Sequence, residues 1–118
     1  MDSTGQPIEH MLVGLDYIVH VARSNSIRLI VSFVSNWSPA GSVDSFAGNL
    51  GFEHNSFFQE EVVKDAYKTW VRSIVLRNNT ITGVMYRDEP TIFAYVGVMF
   101  AEPLHSPTRS FTHSLTLS

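Results

Sequence analysis

Residues 27–34 read IRLIVSFV, and the fold turns on what this run becomes. It is mostly apolar and β-branched, with Arg28 as its one charge. Ser24-Asn25-Ser26 precede it, and their side chains compete for backbone hydrogen bonds and favour turns. A stretch rich in Gly, Ser and Asn follows it. In so short a run, periodicity alone does not separate a strand from a helix. Its length and its flanks favour a strand buried on both faces, as in a parallel sheet.

Upstream, Glu9 to about Arg23 places Leu12, Leu15, Val19 and Ala22 at three- and four-residue steps, which is one face of an amphipathic helix. Downstream, residues 35–58 form a long loop with interleaved aromatics, a length that in compact domains is often functional. From about Gln59 to Arg77 a second helix is expected, with Val63, Tyr67, Trp70 and Ile74 on one stripe. Glu60 and Glu61 suit the positive end of its dipole and Arg77 the negative end. Asn78 to Pro90 is a polar connection. Thr91 to Phe100, TIFAYVGVMF, reads as a second buried strand. Helix, strand, helix, strand is α/β logic with a right-handed crossover between parallel strands. Residues 1–103 make one domain in this reading. Residues 104–118 turn abruptly to Ser, Thr, His and Pro, and are expected to be a disordered tail.

The composition excludes several classes of function. With 44% hydrophobic residues, 16% charged and a mean hydropathy of +0.05, the chain is globular in composition. A formal net charge of −3 offers no basic footprint for nucleic acid. No apolar run approaches the roughly 20 residues that span a bilayer, so no membrane partner is expected. The chain has no cysteine, hence no disulfide framework or thiolate chemistry. Met1 to Pro7 has neither the cationic start nor the apolar core of a signal peptide, which as written implies the cytosol.

Few residues have the setting for catalysis. Glu102 sits just past the second strand, in Ala101-Glu102-Pro103. The C-terminal ends of strands carry the catalytic groups of (β/α)₈ barrels, and a carboxyl raised by burial acts there as a general acid. By position alone the ordinary reading, a solvated Glu in a turn before proline, is the stronger one. Trp37, beside Asn36, is the candidate for stacking on a sugar, or else an anchor of its loop. Phe46, Phe52, Phe57 and Phe58 read as loop anchors. The five histidines lack metal-ligand spacing, and no nucleophile elbow, P-loop or dinucleotide fingerprint occurs, so no metal or cofactor is expected. Asn36-Trp37-Ser38 and Asn78-Asn79-Thr80 are N-glycosylation acceptor triplets.

Taken together, these residues resemble a family. GLDYIVHVARSNSIRLIVSFVSNW is similar to the helix-then-strand passage of plant mannan endo-β-mannosidases of glycoside hydrolase family 5. NSFFQEEVVKDAYKTWVRSIVLRNNTITGVMYRDEPTIFA is similar to their next helix and strand. The likeness runs from about Met1 to Ala94, and NTITG followed by YRDEPTIFA is its most specific part. It implies a TIM barrel, which takes roughly 250 residues, and places this chain at about strands 3 and 4 with their helices. It implies retaining hydrolysis of mannan or galactomannan by a secreted cell-wall enzyme. One carboxylic acid protonates the leaving oxygen while a second carboxylate, about 5–5.5 Å away, attacks the anomeric carbon.

Departures from the family pattern bear on that activity. After strand 4 the family reads W-E-L-M/I-N-E-P, its Asn binding the sugar 2-hydroxyl and its second Glu acting as acid/base. Tyr95 to Pro103 here is two residues longer, and Ala101 stands where that Asn belongs. Glu102 keeps the acid/base position. The nucleophile belongs to strand 7, which these residues do not include. The resemblance therefore implies a truncated, inactive enzyme, or a remnant that binds mannan through Trp37. A small α/β interaction domain is the rival reading. Open strands lead to an expectation of self-association.

Overall fold

The computed structural model describes residues 6–36 and 41–99. Helix α1 spans Glu9–Ser24, and strand β1 spans Leu29–Ser35. Two short helices follow, α2 at Val43–Asn49 and α3 at Ser56–Gln59. Helix α4 covers Glu61–Val75, a 3₁₀ turn covers Tyr86–Asp88, and strand β2 covers Ile92–Met99. The strands pair in parallel, from Leu29 opposite Ile92 to Ser35 opposite Met99. The helix–strand–helix–strand order is the one the sequence led us to expect. The tail from residue 104 lies outside the described residues.

Leu12, Val19 and Ala22 are buried on α1, as their spacing requires. The helix ends through Asn25 and Ser26: Asn25 Nδ2 donates to the Val21 carbonyl at 2.8 Å, and Ser26 takes a left-handed φ of 56°. On α4, Val63 and Ile74 are buried while Tyr67 and Trp70 are partly covered. One apolar cluster joins Leu12 and Val19 of α1, Phe33 of β1 and Ile74 of α4 with Tyr86. A second joins Val34 to Val43, Phe46 and Ala47 of α2, with Phe57 and Val63.

Two expectations need correction. The loop at 35–58 is partly helical. Ser42 caps α2 by accepting the Ser45 N–H at 3.1 Å, and Val43, Phe46 and Ala47 then bury one face. The strands, moreover, are not buried on both faces. Ile30 is 62% exposed and Phe93 71% exposed, because cover reaches Ile30's face only at its C-terminal end, where Val34 packs on α2 and Val63. A register shift between Leu29 and Ile30 inserts Phe93 as an extra residue on β2.

Candidate functional site

Parallel pairing brings the C-terminal ends of β1 and β2 to one edge, because Ser35 pairs with Met99. The two strands therefore end side by side. On β1 the residue that follows is Asn36, which is only 3% exposed, and its side-chain Oδ1 has no hydrogen-bond partner among the described residues. An unpaired buried amide oxygen costs about 1–3 kcal/mol. Among the described residues it is a polar acceptor at a strand end left open to a hydroxyl or water.

The surrounding backbone is firmly held. The Ser35 N–H donates to the Gly41 carbonyl at 3.0 Å, so the chain is back beside β1 by Gly41. Gly41 has φ +70°, a left-handed geometry that glycine adopts without Cβ strain. Ser42, 2% exposed, closes the corner as the α2 cap.

The loop aromatics divide between packing and exposure. Phe46 and Phe57 meet edge to face at 5.7 Å, and both contact Tyr67 of α4. Phe52 packs on the same cluster, so these three rings anchor the loop. Phe58 is 46% exposed and leans on Phe57. Trp37 and Glu102, the residues expected to stack on sugar and to act as acid/base, both lie outside the described residues. Glu102 follows Met99 by three positions in the sequence.

Away from the strand ends, a groove of about 250 Å³ runs between α4 and β2, lined by Phe33, Tyr67, Val71 and Tyr95 with Lys68 and Arg72. Its wall is aromatic and aliphatic. The Tyr67 hydroxyl is taken up by the Gly97 carbonyl at 2.6 Å. Burial pushes both Tyr67 and Tyr95 up to about 12, with the Glu89 carboxylate adding to the effect on Tyr95. Neither phenol is a proton donor suited to neutral pH. Among the described residues no group of three His, Asp or Glu could hold a metal ion, and no helix is long and apolar enough to cross a membrane.

A third polar feature escaped the sequence reading. Asp16 is fully buried in the apolar face of α1. Its carboxylate accepts from Arg77 Nε at 2.9 Å and Arg77 Nη2 at 2.7 Å, and from the Tyr86 hydroxyl at 2.7 Å. Thr80 adds its hydroxyl at 2.8 Å and its N–H at 3.2 Å. Burial pushes this carboxyl up, but hydrogen bonds from Arg77, Tyr86 and Thr80 outweigh burial and hold it at about 2. Arg77, expected to serve the α4 dipole, instead lies past the helix end and also clasps Glu9. The signal in the sequence was a charge at position 16 on an apolar stripe, since a buried charge requires a partner. With every acceptor position filled, this cluster is a clamp and has no room for a substrate.

No protein-family model matches the chain. Curated relatives do. Mannan endo-1,4-beta-mannosidase 1 of Arabidopsis thaliana is 38% identical over 94 residues, which is 79% of this chain and 23% of that protein. Its namesake from Oryza sativa subsp. japonica is 37% identical over 100 residues, with the same coverage. The chain thus spans about a quarter of the length of these relatives. Among solved structures, the endo-beta-1,4-mannanase from Thermotoga petrophila superposes with a TM-score of 0.69 at 34% identity, over 73% of this chain and 19% of that one. The endo-1,4-beta-mannanase from Rhizomucor miehei gives 0.67 at 34%, over 75% and 25%.

Proposed function

From a chain that shares its fold and about a third of its matched residues with a segment of the endo-β-1,4-mannanase TIM barrel, we propose that these residues form the strand 3–strand 4 portion of a mannan-hydrolysing site. The observation that carries this reading is the paired strand ending, Ser35 opposite Met99, which brings the C-terminal ends of both strands, with Asn36 after the first, to one edge. Active sites of (β/α)₈ barrels are built at that edge. The substrate class is β-1,4-linked mannan or galactomannan, and the whole protein acts outside the cell, on the plant cell wall.

Within that site Glu102 is the acid/base: its carboxyl protonates the glycosidic oxygen and later takes a proton from water. Asn36 offers its free Oδ1 to a sugar hydroxyl, and Trp37 stacks on a sugar face. The attacking carboxylate comes from a strand beyond these 118 residues. Taken by themselves, they bind mannan without cleaving it, as Asn36 favours: an orphaned acceptor rewards a ligand hydroxyl even where no nucleophile is present.

Two assays on galactomannan separate the readings. Release of reducing ends measures hydrolysis, and retardation in a mannan-containing native gel measures binding. Binding that weakens in Asn36→Ala, with no hydrolysis, is the expected result. Loss of neither property on substitution of Asn36, Trp37 or Glu102 would leave only the interaction-domain reading.

A further inference from the structure

We propose that Asn78 accepts an N-linked glycan and that Asn36, the other acceptor triplet, does not. The inference rests on the proposed reading only in that the protein must pass through a secretory compartment. Asn78 is exposed, just past the end of α4, and its side chain makes no hydrogen bond to any described residue. Its neighbour Asn79 is the opposite: 1% exposed, with Nδ2 donating to the Asp16 carbonyl at 3.0 Å and Oδ1 accepting the N–H groups of Ile81 and Thr82. A glycan on Asn78 therefore projects into solvent while the turn beside it stays intact.

Order matters, because Thr80 serves twice. In the nascent chain its hydroxyl completes the Asn78-Asn79-Thr80 triplet. In the folded chain the same hydroxyl donates to Asp16 at 2.8 Å. Transfer accordingly precedes closure of that contact. The Asn78 Nδ2 attacks the anomeric carbon of a lipid-diphosphate-linked oligosaccharide. The Nδ2–C1 bond forms, the C1–O bond to the diphosphate breaks, the lipid diphosphate leaves, and the amide gives up one proton.

The Asn36 triplet is disfavoured on both counts. Its Asn is only 3% exposed once folded, which leaves no path for a glycan. In sequence it reads Asn36-Trp37-Ser38-Pro39, and the proline restricts Ser38 to extended conformations. The two sites also sit apart: Asn36 follows β1, whereas Asn78 adjoins the middle of α1, where its neighbour Asn79 bonds to the Asp16 carbonyl.

The test places the 118-residue chain behind a cleavable secretory leader in a eukaryotic host. Denatured whole lysate and medium are both blotted, so that retention of poorly folded chain does not hide the product. One mobility step, collapsed by an amide-cleaving glycosidase, is expected for the wild type, for Asn36→Gln and for Thr80→Ser. Asn78→Gln should abolish it. An unshifted wild type beside a co-expressed secreted glycoprotein that is shifted would overturn the proposal, as would a step that survives Asn78→Gln. Neither outcome touches the mannan reading, which hydrolysis and binding assays decide.

Discussion

Asp16 and Arg77, 61 residues apart, meet in a two-pronged ion pair of 2.9 and 2.7 Å with no exposure on the carboxylate side. The pair ties the middle of α1 to the end of α4, beside the apolar cluster of Leu12, Val19 and Ile74. It also positions the polar turn at Asn79–Gly83, since Thr80 and Asn79 both bond to residue 16. Every stability prediction for this chain depends on this clamp and on the uncovered sheet face.

The sheet face comes first, because it governs solubility. Each large apolar side chain left wet forgoes about 1.5–3 kcal/mol, against a typical net stability of about 5–15 kcal/mol. Ile30 and Phe93 stand on that face, more than half exposed, and both strands have an open edge. We expect the wild-type chain to elute as oligomers on size exclusion, and Ile30→Thr with Phe93→Thr to shift it toward monomer. A wild-type chain that runs as a monodisperse monomer with one sharp denaturation transition would contradict this.

In that doubly substituted background, Asp16→Asn should destabilise by about 1.5–3 kcal/mol, since it takes a buried charged acceptor from Arg77, Tyr86 and Thr80 and leaves Arg77 with Glu9 alone. The measurement is the shift in urea midpoint at constant slope. Asp16→Asn with Arg77→Leu should recover part of the loss.

The same carboxylate predicts an acid limb. Its folded pKa, about 2, lies below its ordinary value, so the stabilisation is fully present above about pH 4. It is lost as pH falls toward 2, at which point protonation removes about 2 kcal/mol. Urea midpoints between pH 5 and pH 2 should fall for the parent and stay flatter for Asp16→Asn. Parallel curves would assign the acid limb to other groups.

Asn79→Ala should cost about 2–4 kcal/mol, because it leaves two N–H groups and one buried carbonyl without their partner. Gly83→Ala, at φ +70°, adds a left-handed penalty of about 1–2 kcal/mol. Hydrogen exchange should show the loss first at the Gly83 and Tyr86 amides, which bond back to Asn79 and Arg77.

For chemistry, the 118-residue chain should release no reducing ends from galactomannan, and Glu102→Gln should leave that null result unchanged. Hydrolysis by the wild type that vanishes in Glu102→Gln would show that these residues hold a complete site.

How much was legible in the sequence follows from the range of the forces involved. The stripe on α1 at Leu12, Val19 and Ala22, and that on α4 at Val63 and Ile74, are local periodicities and were read directly. Helix α2 carried a local signal as well, a Ser42 cap and Asp44 in the first turn with Val43, Phe46 and Ala47 as its apolar residues, which was obscured by the surrounding glycines and serines. Asp16 on the α1 stripe signals that a partner is needed, but which partners was not legible, because they lie 61–70 residues away. The openness of the Ile30 face was not legible either: an apolar strand states that it requires cover, not whether these residues provide it. Of the candidate site, Asn36 could be placed at the strand end, but nothing local signals that its Oδ1 would be left unpaired.

The parallel register has a consequence for biosynthesis. The Leu29 N–H donates to the Thr91 carbonyl, and among the described residues β2 is the strand that pairs along β1. At typical synthesis rates β1 leaves the ribosome roughly 3–12 s before β2 exists to pair with it. Over that interval IRLIVSFV is a bare, β-branched strand guarded by one arginine. Whether a cell obtains this protein folded is therefore a kinetic question, set by what shelters that strand during the wait.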